Sequence, residues 1–220
     1  MSLKEIAKRL FIDKNNVQEQ ILKTSIFDNE VLPIQVDEVS AKILSLLVAV
    51  HRPVSVLEIG THFGYSTYAI AKNLGNDAKF ISLDISESTQ RLAAANLATA
   101  GLSDRVTLVC SDVIEYLEKF PDERFDFVFI DGAKVEYWDY LVHIVKRISD
   151  GGLVVADDVF LDGDFSAEPG TYQEMEDSIK KFLVFLHKAD FIDTTLIPTE
   201  MGMTVSVFRT RPSRVDITAG

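Results

Sequence analysis

Cysteine is almost absent from this sequence, which has a single one, Cys110, among 220 residues. One thiol excludes an intramolecular disulfide framework and a cysteine-based zinc site, and it fits a reducing cytosol. Because Cys110 falls within an apolar run typical of a strand, we expect it to be an inert, buried thiol.

Long apolar runs and basic clusters are also missing. The longest apolar stretch, AKILSLLVAV, is broken by His51, Arg52 and Pro53, well short of the roughly 18 residues of a membrane span. The stretch MSLKEIAKRLF has charges throughout and lacks a signal-peptide pattern. The formal charge is -12 and no run of Lys or Arg exceeds two residues, which disfavours nucleic acid as a partner. These absences predict a soluble, cytoplasmic protein with no membrane partner.

What is present is the composition of a globular protein, with 47% hydrophobic and 25% charged residues. We predict a single domain over 1–220, with a helical appendage over 1–52, an α/β core over 53–210 and a tail over 211–220. In the appendage, apolar residues recur at steps of three and four and predict an amphipathic helix. Its expected buried face consists of Val36, Val39, Ile43, Leu46, Leu47 and Val50.

From residue 54 onward, short β-branched and apolar runs alternate with helical stretches. The runs span 54–59, 79–84, 105–110, 125–131, 152–157, 191–197 and 204–208. Buried strands that alternate with helices indicate a parallel sheet covered on both sides. Gly75 and Gly101 follow two helices and are expected to be left-handed caps, and a short link before the last run predicts a hairpin. The predicted fold is a doubly wound, Rossmann-like α/β fold with seven strands, mostly parallel, and an antiparallel last strand.

The carboxyl ends of the strands are where doubly wound folds bind ligands. The first strand leads into a turn with Gly60 and Gly64, but His62 and Tyr65 stand where a dinucleotide fingerprint needs glycine. Pyrophosphate is therefore disfavoured. The exposed amides of such a turn suit a carboxylate or a compact zwitterion.

Acids follow the next two strands. Asp84 lies 24 residues after Gly60, a spacing at which an acid can bind both hydroxyls of a ribose. Asp112 follows the third strand, where a carboxylate can accept from an adenine amino group. Each acid can also cap the helix that follows it, and the two interpretations do not exclude each other.

Three further acids, Asp131, Asp157 and Asp158, end the fourth and fifth strands. Their charges would repel one another at one rim unless a cation lay among them, and carboxylate oxygens are the donors that Mg²⁺ prefers. The alternative is a set of helix caps and solvated acids. Lys134 would face the same rim and act as a base if the cation and burial lowered its pKa; the alternative is a solvated lysine at a helix start.

These strand ends belong to five longer segments: VLEIGTHFGYST, ISLDIS, AGLSDRVTLVCSD, FDFVFIDGAKVEYWDYL and GGLVVADDV. In this order they resemble the class I S-adenosylmethionine-dependent methyltransferases, most closely the cation-dependent O-methyltransferases of the catechol and caffeoyl-CoA type. The likeness extends from about Pro33 to Phe208. Two positions depart from that family, because Asp158 stands where Asn is usual and DGAK stands where DADK is usual.

The resemblance implies S-adenosylmethionine as the methyl donor, a divalent cation (Mg²⁺ first, Mn²⁺ or Ca²⁺ as alternatives) and a homodimer. By position it implies Glu58 and Gly60 in the cofactor loop, Ser66 at the methionine part, Asp84 at the ribose and Asp112 in the adenine segment, with Asp131 as a further cofactor-binding residue. It also implies Asp131, Asp157 and Asp158 as metal ligands. The residues at the reacting hydroxyl would be Lys134 and Asp131.

The leading hypothesis is methyl transfer to a hydroxyl of a small molecule, a catechol-like or other vicinal diol, assisted by the cation. Two alternatives stay open: methylation of a hydroxylated uridine in transfer RNA, and binding of S-adenosylmethionine without catalysis. Tyr137 and Trp138 lie near Lys134 and could wall an acceptor pocket, but Trp138 shares helical spacing with Leu141 and Val145, so we expect the Trp to pack in the core.

Overall fold

The structure is a computed structural model, and it describes residues 10, 21, 36–161 and 171–209. The predicted appendage before residue 36 and the tail over 211–220 lie almost wholly outside the described residues. The strands are β1 (Ser55–Ile59), β2 (Lys79–Asp84), β3 (Thr107–Cys110), β4 (Phe125–Ile130), β5 (Ile148–Ala156), β6 (Ile192–Ile197) and β7 (Met203–Phe208). The helices are α1 (Glu38–His51), α2 (Tyr65–Ala71), α3 (Glu87–Thr99), α4 (Val113–Lys119), α5 (Tyr137–Val145) and α6 (Thr171–Lys188).

The strands form one seven-stranded sheet in the order β3-β2-β1-β4-β5-β7-β6. The pairs from β3 to β5 are parallel, whereas β7 runs antiparallel to both β5 and β6. This confirms the predicted fold and the antiparallel last strand. The strand order reverses between β1 and β4, which is the topological switch point where such sheets bind ligands.

The register of the central strands sets the site. Ile59 pairs with Ile130, and Ile130 pairs with Ala156. The residues that follow these three therefore leave the sheet side by side, and Asp131 N and Asp157 N still donate to the neighbouring strand at 2.8 and 3.0 Å. The register thus places the predicted cofactor loop after β1, and the predicted acids Asp131 and Asp157, side by side at the carboxyl edge of the sheet.

Helices cover both faces of the sheet. One hydrophobic cluster packs α4, α5 and α6 against the strands, and the other packs α1, α2 and α3 on the opposite face. Phe182 on α6 and Phe127 on β4 are fully buried. Each such side chain contributes about 1.5 to 3 kcal/mol through burial, which fixes the strand ends in place.

The predicted buried face of α1 was partly wrong. Leu46 and Val50 are 63% and 74% exposed. The buried face consists of Ser40, Ala41, Leu44, Ser45 and Val48, and Ser45 Oγ donates to Ala69 O of α2 at 3.1 Å. The predicted stripe missed this face because three of its five residues are serine or alanine, which a search for large apolar side chains passes over.

Two further expectations about single residues were wrong, and one was right. Cys110 is exposed, because β3 is the edge strand of the sheet and only one side of it is covered. Gly75 is not a left-handed cap, since α2 already ends at Ala71. Gly101 does have a left-handed backbone, with φ of 70°.

Among the described residues, no helix is both long enough and apolar enough to span a bilayer.

Candidate active site

A cavity of about 690 Å³ opens at the carboxyl ends of β1, β2 and β4. It extends from Ser111 beyond β3 to Glu136 beyond β4, across the switch point. Most predicted site residues line it, namely Gly60, Ser66, Asp84, Asp112, Asp131, Lys134 and Asp158. Glu58 and Asp157 do not line it and lie beneath its wall.

The turn after β1 requires glycine at its first position. Gly60 has φ of 97°, and a Cβ there would lie 2.2 Å from Asp131 O. The backbone of the cofactor loop therefore touches the backbone that follows β4. Gly64, with φ of 84°, begins α2 and places Ser66 in the first turn, where its buried side chain borders the cavity.

His62 lies within this turn and has an unusual backbone for a residue with a side chain, with φ of 47°. Its N–H donates to Asp84 Oδ2 at 2.7 Å, which ties the turn to the end of β2. Burial lowers the pKa of His62, against the opposing charges of Asp84 and Asp131. The sequence offered no partner at metal-ligand spacing for His62, and its role seen here is to hold the loop.

Asp84 and Asp112 both border the cavity and both organise the following helix. Asp84 Oδ1 accepts from Ser86 N at 2.9 Å, and Ser86 is the N-cap of α3. Asp112 is the N-cap of α4 and accepts from Glu115 N at 2.9 Å. The capping interpretation is confirmed for Asp112. Because Asp112 also lines the cavity, its predicted contact with an adenine amino group stays a prediction.

Glu58 lies fully buried under the cofactor loop. Its Oε2 accepts from Thr67 Oγ1 at 2.6 Å and from Ser82 Oγ at 2.5 Å. Its Oε1 is buried and has no hydrogen-bond partner among the described residues. Burial raises the pKa of Glu58 from 4.5 to about 7, although the hydroxyls of Ser82 and Thr67 act in the opposite direction.

Lys134 joins two of the predicted metal ligands. Its Nζ lies 3.0 Å from Asp131 Oδ1 and 3.1 Å from Asp158 Oδ2. Burial alone would lower the pKa of Lys134, but Tyr137 and the two carboxylates outweigh burial and hold that pKa well above its ordinary value. The lowered pKa that we expected for a base is therefore not found in this arrangement, because the carboxylates stabilise the ammonium.

Asp157 lies apart from that pair. Its side chain is 2% exposed and receives a long hydrogen bond from Ser40 Oγ at 3.4 Å. Burial, together with the charges of Asp131 and Asp37, raises the pKa of Asp157 to about 7. Asp37, the N-cap of α1, is an acid near this rim that the sequence indicated only as part of a helix start.

Tyr137 is a further site residue whose role the sequence did not reveal. It is fully buried, accepts from Lys134 Nζ at 2.8 Å and donates to Asp157 O at 2.7 Å. It thereby fixes the ammonium between the ends of β4 and β5. Trp138, the next residue, packs on the core against Phe185, as expected.

The acids do not form a ready ion cage in the part of the chain that the structure describes. No three His, Cys, Asp or Glu side chains there are arranged to hold a metal ion. Two carboxylates, from Asp131 and Asp158, do converge on one positive atom, and that atom is Lys134 Nζ. In the described residues, the positive charge between these two carboxylates is that of Lys134.

The cavity has a second polar pair beyond β4. Tyr140 Oη donates to Glu136 Oε2 at 2.5 Å, and both side chains line the cavity. Neither residue stood out in the sequence, because the 3₁₀ turn over Lys134–Glu136 that brings Glu136 to the cavity has no distinctive signature.

Comparison with known proteins identifies one family. Residues 10–209 match the sequence model of a family described as O-methyltransferase. Caffeoyl-CoA O-methyltransferase 1 of Eucalyptus globulus is 24% identical over 225 residues, which cover 91% of this chain and 92% of that protein. Catechol O-methyltransferase of Niastella koreensis is 29% identical over 167 residues, which cover 74% of this chain and 75% of that protein.

Solved structures share the fold. An O-methyltransferase from Bacillus cereus, crystallised with SAH, superposes with a TM-score of 0.81 at 24% identity and covers 93% of this chain and 96% of its own. TomG from Streptomyces achromogenes, crystallised with SAM, superposes with a TM-score of 0.80 at 23% identity, covering 96% of this chain and 100% of its own.

Proposed function

The chain belongs to the O-methyltransferase family, and we propose that it transfers a methyl group from S-adenosylmethionine to a hydroxyl of a small vicinal diol. The observation that supports this proposal is one continuous cavity whose two ends differ in chemistry. Asp84 and Asp112 border one end, and Lys134, Asp131 and Asp158 border the other. The proposal assigns the methyl donor to the end with Asp84 and Asp112 and the methyl acceptor to the end with Lys134, Asp131 and Asp158.

At the donor end, the residues suit a nucleoside with an amino acid attached. The carboxylate of Asp84 is oriented by two backbone N–H groups, which leaves lone pairs for ribose hydroxyls. Gly60 of the glycine turn and Ser66 in the first turn of α2 line the cavity, and the proposal assigns the methionine part of the donor to this stretch of wall. Solved neighbours in the fold are described with SAM or SAH bound, which agrees with this use.

At the acceptor end, Lys134 and Asp131 present an ammonium and a carboxylate 3.0 Å apart. We assign to the Lys134 ammonium the orientation of the acceptor oxygen, and to the Asp131 carboxylate the acceptance of the hydroxyl proton. The new O–C bond forms as the S–C bond breaks in line, and the electron pair of that bond stays on sulfur. Holding the oxygen against the methyl group is the main catalytic task, because the sulfonium already activates it.

The divalent cation is part of the proposal, with Asp131, Asp157 and Asp158 as the residues that would hold it. Their hard oxygen donors suit Mg²⁺, and the convergence of two of them on one positive atom supports a cation there. When bound, the ion would polarise the acceptor oxygens as a Lewis acid. The extra charge of Asp158, where the family usually has Asn, would strengthen binding of the ion and weaken its Lewis acidity.

The test is transfer of a labelled methyl group from S-adenosylmethionine to catechol, caffeic acid and bulk transfer RNA, with Mg²⁺ or with EDTA. We expect product with the diols only, and a fall in kcat of about 100-fold or more for Asp131→Asn and Lys134→Met. Asp122→Asn is the matched control, because this exposed acid precedes β4 at the opposite end of the sheet. Labelling of transfer RNA without labelling of any diol would refute the proposed acceptor.

The cation is tested separately by thermal unfolding. Mg²⁺ that binds the folded protein should raise Tm, by an amount that grows with its concentration, and Asp158→Asn should reduce that rise. Equal Tm in Mg²⁺ and in EDTA, with equal turnover in both, would refute the role of the ion.

A further inference from the structure

Glu58 is a buried acid without a positive partner. It is fully buried, and the described residues form no salt bridge with it. Two hydroxyl groups satisfy Oε2, while Oε1 has no hydrogen-bond partner in the described chain. A carboxylate in such surroundings is costly in its charged form unless a cation lies close by.

We propose that Glu58 is the buried counter-charge of the methyl donor's sulfonium, and that its charge contributes to binding of the cationic donor but not of the neutral product. The inference rests on the proposed function for the identity of the donor. The inference goes beyond placing Glu58 in the cofactor loop, because it concerns how Glu58 affects the affinity for the donor and the affinity for the product differently.

The location of Glu58 supports this role. It is the fourth residue of β1, and the next residues, Ile59 and Gly60, form the cavity wall. Ser66 forms the wall from the other side of the turn. Glu58 thus lies directly beneath the turn that would hold the methionine part of the donor, in a dry interior where charges interact strongly.

The groups around Glu58 leave its charge uncompensated. From α2 it meets Ser66 and Thr67, from β2 it meets Ser82, and beyond the end of β4 it senses the like charge of Asp131. The ammonium of the rim does not relieve it, because Lys134 is bonded to Asp131, Asp158 and Tyr137. A cationic ligand is therefore the natural source of compensation.

A chain of hydrogen bonds holds Glu58 in place. Ser82 Oγ, which bonds Glu58, lies 2.6 Å from Thr61 Oγ1, and Gln90 Nε2 donates to Thr61 Oγ1 at 3.4 Å and to Val109 O at 2.8 Å. The carboxylate is thus tied to β2, α3 and β3 and cannot turn away when its surroundings change. A fixed charge of this kind discriminates between ligands without any movement of the protein.

The chemistry of transfer alters the charge that Glu58 faces. Before transfer the sulfur has three carbon substituents and a positive charge. When the S–CH₃ bond breaks, its electron pair remains on sulfur, and the product is a neutral thioether. The attraction to Glu58 is then lost, so its contribution to ligand affinity ends with the transfer.

The experiment is calorimetric titration of the full chain with S-adenosylmethionine and with S-adenosylhomocysteine at pH 8. We expect Glu58→Gln to weaken donor binding about tenfold and product binding less than about twofold, because only the donor is cationic. Glutamine keeps an acceptor oxygen for Thr67 and Ser82. Asp126→Asn is the matched control, because this acid accepts from two backbone N–H groups near the opposite end of the sheet, and its loss should leave the ratio of the two affinities unchanged.

A second readout is proton exchange, measured by titration at pH 7 in buffers of different ionisation enthalpy. Because Glu58 is partly protonated at pH 7, donor binding should release about half a proton. Product binding should release less. In Glu58→Gln the numbers of protons released by donor and by product should become equal. If Glu58→Gln fails to fold, Thr67→Val serves instead, since loss of one hydrogen bond to the carboxylate should weaken donor binding more than product binding.

Equal fold losses of donor and product affinity in Glu58→Gln, which leave the ratio of the two affinities unchanged, would overturn the inference, because they would show a purely structural role for Glu58. Failure of the unaltered protein to bind either ligand would refute the proposed function itself, which separates the two failures.

Discussion

Glu58 should make the stability of the ligand-free protein fall with rising pH. Its pKa is about 7 in the folded protein, against an ordinary value of 4.5 for the unfolded chain. Between these values the folded state binds more protons than the unfolded state, so the free energy of unfolding decreases as pH rises. One pKa unit corresponds to about 1.4 kcal/mol, so the full loss from below pH 4.5 to above pH 7 is about 3 kcal/mol.

The assay is urea unfolding of the ligand-free protein and of Glu58→Gln at pH 5, 6, 7 and 8, since urea does not screen charges. Asp157 also has a raised pKa, so both proteins should lose stability with pH. The informative quantity is the free energy of unfolding of the unaltered protein minus that of Glu58→Gln, which should fall by about 2.5 kcal/mol between pH 5 and pH 8. A difference that stays constant over this range would show that Glu58 is ionised throughout, and would refute the reasoning.

Two substitutions test the backbone and the lysine. Gly60→Ala places a Cβ 2.2 Å from Asp131 O and should lower the free energy of unfolding in urea by several kcal/mol. Gly151→Ala is the control, with an expected loss of roughly 1 kcal/mol, because Gly151 also has a positive φ but its Cβ would meet no atom within 4 Å. Equal losses would show that backbone strain alone matters. Tyr137→Phe removes the hydroxyl bonded to Lys134, so it should lower kcat while reducing stability by only about 1 to 3 kcal/mol. An unchanged kcat would mean that the two carboxylates suffice to position the ammonium.

The sheet was predictable because its signals are local. Short apolar runs bounded by turns fix the strands, and their alternation with helices fixes a parallel order. Asp84, Asp131 and Asp158 were found because the carboxyl ends of parallel strands meet at one edge, so a position in the sequence becomes a position in space. The same reasoning could not predict that Asp158 lines the cavity while Asp157 is buried beneath its wall, because adjacent residues leave a strand in different directions.

Long-range packing was not predictable. The buried face of α1 depends on which helix lies against it, and Ser45 faces inward only because Ala69 O is there to accept its hydrogen bond. Tyr137 lies near Lys134 in the sequence, but its hydrogen bonds to the Lys134 ammonium and to Asp157 O could not be predicted, since they depend on where the end of β5 lies. The high pKa of Lys134 likewise depends on the convergence of two separate strand ends.

The contact between Gly60 and the backbone of Asp131 joins the two halves of the cavity at a single point. Because main-chain atoms form that joint, the position of the turn after β1 relative to the end of β4 is set by the register of the two strands. Under the proposed function, substitutions of Glu136 at the cavity wall should then change acceptor preference without moving this joint. For an engineer this separates two tasks, because the wall at Glu136 can be varied, whereas the joint has no space for one added methyl group.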